Sequence, residues 1–177
     1  PLKEITPANA SQLGEVCRVQ IDGPTAMHSA LIVVDGVIYT NTGSQTVALD
    51  ATTCAVRWRH TYTPDDSRSS PSTRRLAVMD GRVFRGTGDA RLIALDAATG
   101  KVLWKNVIGA PRLGESASAA PLAWQGVVYM GIGGSELTAQ RAIENIDPPR
   151  LNSTSIVAAR ANNDVVEAVI IHIAAGS

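Results

Sequence analysis

The sequence predicts an all-β chain folded as part of a β-propeller, with about two and a half four-stranded blades. Three observations lead there. The phrase Ala-Leu-Asp-Ala-x-Thr, followed by a Trp, occurs twice, in TVALDATTCAVRWR (46–59) and LIALDAATGKVLWK (92–105). Three hairpin-like starts, VVDGVIYTNTG (33–43), VMDGRVFRGTG (78–88) and AWQGVVYMGIGG (123–134), set Gly36, Gly81 and Gly126 apart by a constant 45 residues. Between these marks only strand signals occur. A period of about 40 to 50 residues that contains strands alone is the signature of a propeller blade.

Each strand of a repeat has a local cause. In the first, ALIVVDG runs into an Asp-Gly turn that favours positive φ and a tight hairpin, VIYTNT returns, TVALDA forms a third strand and AVRWRHTY the outermost. The second reads RRLAVMDG, RVFRGT, RLIALDA and KVLWKNVI. Asp50 and Asp96, each followed by a Thr three residues on, stand where the third strand turns into the fourth. Their short polar side chains are suited to bond the turn's own amides. Trp58 and Trp104 then project from the fourth strand against the neighbouring blade and read as structural. His60, next to the outer strand's Trp, is expected to face solvent.

The third repeat starts well and then fails. After Glu136 comes TAQRAIENIDPPRLNSTS, polar, proline-bearing and without strand alternation. Further on, IVAARANNDVVEAV (156–169) lies without gaps on LIALDAATGKVLWK, but Arg160 replaces the turn Asp, Asp164 the turn Gly, and Ala168 stands in place of the Trp. Blades are therefore expected over 27–63 and 73–108 and a partial blade over 117–137. Residues 138–177 form a divergent tail, either a decayed end of blade three after an insertion or irregular, foreign sequence, with the second favoured. A closed propeller needs about four to eight blades.

Composition narrows the function. Sixteen basic and sixteen acidic side chains cancel, which leaves no global field to gather nucleic acid or an anionic membrane. No apolar run approaches the roughly 18 to 20 residues of a spanning helix. The chain starts at Pro1 without a leader pattern ahead of its first strand, so any export signal is expected outside it. Cys17 and Cys54 lack metal-ligand spacing; the residues leave a disulfide in an oxidising compartment and two free thiols equally open. None of the three histidines lies in a nucleophile motif, and GTGDAR and GIGGSE lack the helix of a dinucleotide loop.

The ALDA-x-T-G-K-x-x-W phrase resembles the tryptophan-docking repeat of the pyrroloquinoline quinone (PQQ) dependent alcohol dehydrogenases, eight-bladed periplasmic propellers. PLKEITPANASQLGEV resembles the segment those enzymes carry just before blade one, and GSEL their cofactor-contacting turn; the likeness runs from Pro1 to about Leu137. It implies a quinone lying flat on the propeller axis, with a calcium ion at its carbonyl and carboxylate oxygens. Carried over residue by residue, Glu136 is the calcium ligand, and Gly133, Gly134 and Ser135 are the backbone that closes over the quinone. Ser118 and Arg74 reach its carboxylates, the arginine by a two-bond fork.

The resemblance has departures. His28 stands where the family commonly has a glutamate, and SRSSPS where its methanol-oxidising members have two adjacent cysteines. The catalytic Asp and a calcium-binding Asn belong to later blades, so no catalytic residue is assigned. The implied parent is a periplasmic oxidoreductase acting on an alcohol or aldehyde and passing electrons to a cytochrome c. This N-terminal part is expected to be inactive alone and to self-associate through open blade edges. Two rival readings stand beside it: a non-enzymatic propeller scaffold of the outer-membrane assembly type, and a truncated product without function.

Overall fold

In the computed structural model, twelve strands among the described residues form three four-stranded antiparallel sheets. It describes residues 4–21, 29–65 and 74–133, and the backbone of 153–160 and 169–174. The first sheet holds β1 (Ile32–Val34), β2 (Val37–Asn41), β3 (Gln45–Asp50) and β4 (Val56–Thr61) in that order. β5 (Ala77–Met79), β6 (Arg82–Gly86), β7 (Arg91–Asp96) and β8 (Val102–Val107) form the second. The third consists of β9 (Leu122–Trp124), β10 (Val127–Gly131), β11 (Ser153–Arg160) and β12 (Val169–Ala174). Consecutive strands pair throughout, and the innermost strands β1, β5 and β9 neighbour one another in that order, as blades set around one axis require.

The repeated phrase is explained by register. Ala48 lies directly across from Trp58, and Ala94 across from Trp104, and both alanines are fully buried. A methyl there leaves room for an indole on the same face of the sheet. The next residue starts an irregularity in both copies, between Ala48 and Leu49 and between Ala94 and Leu95. The aspartates then close the turn: Asp50 Oδ1 accepts from the amides of Thr52 and Thr53 at 3.0 Å, and Asp96 Oδ1 from the amide and hydroxyl of Thr99 at 2.8 and 2.7 Å. Arg57 beside Asp50, with the Thr52 hydroxyl and the two turn amides, holds that carboxyl far below the usual range. The Thr99 hydroxyl and amide lower Asp96 in the same way.

Two apolar clusters fill the spaces between sheets. Val37, Tyr39, Ala48 and Trp58 of the first sheet meet Val83, Ile93 and Leu95 of the second. Phe84, Leu92 and Ala94 on the second sheet's other face meet Val128, Met130 and Ala117 of the third. Trp58 docks on the next blade's turn, where its indole N–H donates to the Ala97 carbonyl at 2.9 Å and its ring covers Gly100. Gly100 has φ +71 and no room for a side chain. His60, expected in solvent, is half-buried and its Nε2 fully so. The reason is register: it pairs with Thr46 on the face turned to the second sheet.

The third sheet differs from the expectation in one respect, for it has four strands rather than two. Val127 pairs with Arg160 as Arg82 pairs with Asp96 and Val37 with Asp50, and Tyr129 pairs with Ala158 as Tyr39 pairs with Ala48. Within residues 138–177, β11 thus pairs with β10 and β12 with β11. The link between second and third strands is 42–44 in blade one and 87–90 in blade two but 132–152 in blade three. Val169, not Ala168, stands across from Ala158 in the tryptophan's place. The turn Asp and the Trp have no counterparts here, while β-branched residues in both strands suit the pairing.

Candidate functional site

The site residues gather at one end of the blades, where the chain enters each innermost strand and where the second strand hands over to the third. Arg74 precedes β5, Ser118 precedes β9 and Gly133 follows β10. Two backbone bonds, Ser116 N–H to Gly133 O at 2.8 Å and Gly133 N–H to Ser116 O at 2.9 Å, prolong the β9–β10 hairpin. That bridge sets Gly133 across from the two serines. Ser116 Oγ donates to Ser118 Oγ at 3.2 Å, and a Cβ placed on Gly133 would lie 3.8 and 3.9 Å from those two oxygens.

Blade two is tied to the same spot. The Arg74 amide donates to the Ser118 carbonyl at 3.1 Å, and the Ala117 amide to the Thr87 carbonyl at 2.9 Å. Ala117 is fully buried, Ser118 half-buried and Arg74 exposed. Of the six sequence-predicted site residues, Arg74 thus meets Ser118 through its backbone amide, and Ser118 faces Gly133. Gly134, Ser135 and Glu136, and with them the metal-ligand expectation, lie outside the described residues, as does His28. Two hydroxyls beside an open glycine suit the carboxylate edge of a planar ligand. Among the described residues no group of three His, Cys, Asp or Glu side chains converges for a metal ion.

A buried polar network that sequence reasoning missed stands at the same end, between blades one and two. Asp89 is buried and accepts from the Tyr62 hydroxyl at 2.8 and 2.7 Å, the Thr87 hydroxyl at 2.6 Å, the Asp65 amide at 3.1 Å and Arg91 Nε at 3.2 Å. Burial pushes its carboxyl up, but the Thr87 and Tyr62 hydroxyls and the amides outweigh burial and leave it below the ordinary value. Burial and the Asp89 hydrogen bond raise the Tyr62 hydroxyl. Arg85, with no exposed surface, donates to Thr46 Oγ1 at 3.0 Å and the Gly43 carbonyl at 2.9 Å and lies 5.4 Å over the Tyr62 ring. Burial pulls its guanidinium down to about 10.

The signal for Arg85 was present in the repeat. Its counterparts 45 residues away on either side are Thr40 and Met130, so a cation occupies an interior strand position that the other copies fill with smaller or apolar groups. Its role is to tie blade two to the 42–46 turn of blade one at the rim of the site. Cys17 and Cys54, left open by the sequence, are disulfide-bonded. No helix among the described residues is long and apolar enough to cross a membrane.

Residues 9–174 match the family model described as outer membrane protein assembly factor BamB. The chain is 34% identical over 166 residues to the 1-butanol dehydrogenase (cytochrome c) of Thauera butanivorans, an alignment that takes in 89% of this chain and 24% of that protein. Among solved structures, a europium-containing methanol dehydrogenase superposes with a TM-score of 0.63 at 25% identity, over 84% of this chain and 26% of that one. BamB from Moraxella catarrhalis superposes with a TM-score of 0.59 at 13% identity, over 87% of this chain and 43% of that one, a likeness of fold alone. The chain spans about a quarter or less of the length of the curated dehydrogenases it matches.

Proposed function

We propose, from the premise that this chain belongs to the family of PQQ-dependent (quinoprotein) alcohol dehydrogenases, that it is the N-terminal part of a periplasmic, calcium-dependent enzyme of that kind. The observation that supports this reading is the backbone bond that brings Arg74 of blade two to Ser118, whose hydroxyl faces Gly133. Arg74 and the Ser118 hydroxyl hold the quinone's carboxylates, with Gly133, Gly134 and Ser135 forming the backbone over its ring and Glu136 taking the calcium ion. When bound, the quinone accepts the electrons of the alcohol and the metal polarises one of its carbonyls.

The residues of this chain orient and enclose. The base for the alcohol's proton belongs in this reading to later blades, so the isolated chain turns over no substrate, and with only part of the cofactor's contacts it binds the quinone weakly. Alcohol or aldehyde oxidation and electron transfer to a cytochrome c belong to the longer protein. A titration with PQQ and calcium, followed by quinone absorbance and thermal shift, tests the reading. Ser118→Val is expected to weaken binding about tenfold, the worth of one hydrogen bond to a charged group. The absence of any absorbance change or thermal shift, in this chain and in a full-length parent, would sink it.

A scaffold of the outer-membrane assembly type is the second reading, favoured by the description of the matching family model. Against it stand the 34% identity to a dehydrogenase and 13% to the BamB structure. The chain also self-associates in this proposal. Leu122 and Trp124 on β9 are 64% and 59% exposed, and Leu31 and Val33 at β1 are 57% and 62% exposed, so apolar surface lies open on both end blades. Sedimentation showing a monodisperse monomer at all concentrations would refute that part.

A further inference from the structure

We infer that the Cys17–Cys54 disulfide is a covalent docking contact that stands in the place of the Trp58–Gly100 contact, so that residues 13–21 sit on blade one as β4 sits on blade two. The inference is independent of the quinone reading. It starts from the turn between third and fourth strands. Gly100 in blade two has φ +71, and its absent Cβ would point into the Trp58 ring, 2.5 Å from Cε3. Cys54 holds the same place in blade one, four residues after the turn Asp, as Gly100 follows Asp96, and its φ is +57. The Cys54 amide donates to Asp50 O at 2.9 Å and the Gly100 amide to Asp96 O at 2.8 Å, so the two turns share their bonding. A real Cβ at this position therefore points at whatever occupies the docking place on the preceding strand. For Cys54 that group is Cys17, with Cα atoms 6.3 Å apart.

The surrounding residues repeat as well. With Cys17 aligned on Trp58 and Trp104, Arg18 falls on Arg59 and Lys105, and Ile21 on Tyr62 and Ile108. Tyr62 and Ile108 are buried and Ile21 is half-buried. The contact made by the cation also recurs one blade back. Lys105 of blade two reaches back to blade one and lies 5.9 Å over the Tyr62 ring. Arg59 of blade one reaches back to the N-terminal segment and donates through Nη2 to the Gln20 carbonyl at 3.1 Å, next to the residue that matches Tyr62. Two separate contacts, the docking pair and the cation one strand further, thus place the segment where an outer strand belongs.

A consequence follows for redox chemistry. Trp58 is held by packing and one hydrogen bond and ignores reductant. The N-terminal segment is held by a bond that a dithiol opens, two electrons and two protons converting the disulfide into two thiols. No strand pairs with residues 13–21 among the described residues, so little else anchors them once the bond is open.

The test compares the oxidised chain, the chain in dithiothreitol, Cys17→Ser/Cys54→Ser, and Cys17→Trp/Cys54→Gly, the last rebuilding the docking pair of the next blade. Reduction and the double serine variant are expected to lower the thermal midpoint by roughly 10 °C. In dithiothreitol the Trp/Gly variant should melt at least about 3 °C above the serine variant. Its new indole N–H, directed at the Ala51 carbonyl as Trp58 is at Ala97, should exchange about tenfold more slowly than an exposed indole. The inference is overturned if the Trp/Gly variant melts no higher than the serine variant and its indole exchanges freely, or if the serine variant melts with the oxidised chain.

Discussion

Gly100→Ala should be one of the most damaging single-methyl additions in the chain, and Gly81→Ala provides its control. Both glycines have almost the same backbone, φ +71 and +70, so the cost of placing an L side chain in the left-handed region, about 1–2 kcal/mol, is common to both. Only the surroundings differ. A Cβ at Gly81 meets nothing within 4 Å, whereas at Gly100 it falls 2.5 and 2.7 Å from Cε3 and Cδ2 of Trp58. Carbon pairs settle at about 3.5–4.0 Å, so the indole must retreat by roughly 1 Å. That overpacking costs about 1–3 kcal/mol, and stretching the bond from Trp58 Nε1 to Ala97 O loses about 1 kcal/mol more. Gly100→Ala is therefore expected to cost about 3–6 kcal/mol, against about 1–2 kcal/mol for Gly81→Ala. Urea unfolding of both oxidised variants, with slopes compared so that midpoints report stability, measures the difference. Equal losses at the two sites would show that the tryptophan does not hold the blades together through this turn.

Other expectations concern the buried polar groups. Asp89→Asn puts amide hydrogens among the donors from Tyr62, Thr87 and Asp65 and should cost about 2–4 kcal/mol in the same assay. Because the folded state holds the Asp89 carboxyl below 3.8, the unfolded chain takes up its proton first as pH falls; its contribution is complete above 3.8, is lost as pH drops through the folded value, and should vanish in the variant. His60 acts near neutrality. Burial, with Arg85 beside it, keeps the imidazole below 6.5, so stability is complete above 6.5 and falls as the unfolded chain protonates below it. His60→Gln should flatten the slope of the thermal midpoint between pH 7 and pH 5; an unchanged slope would assign it to another group.

Much of this was legible before any coordinates. A constant interval fixes which residues are equivalent, and equivalence carried the first two blades, the Asp-Thr turns and the tryptophans set against the next blade. Those features are local or nearest-neighbour, the scale on which turn chemistry and strand alternation act. The third and fourth strands of the third sheet were hidden because the segment that forms them carries neither the turn Asp nor the Trp. Arg85 breaks the pattern of its repeat, a signal the reading of the sequence passed over, and nothing in the chain order says that it reaches across to Thr46 and Gly43.

By itself the sequence determined the repeat, its strands and the family-like residues at one end. Only the tertiary structure decided what meets across blades: Ser118 with Arg74 and Gly133, Tyr62 with Asp89, and Cys17 with Cys54. The physical reason is that a strand's period dictates which side of its own sheet a residue takes, while its partner on the next sheet depends on how two twisted sheets are set against each other. That setting is a property of the packed interface, shared among many side chains and written in none of them alone.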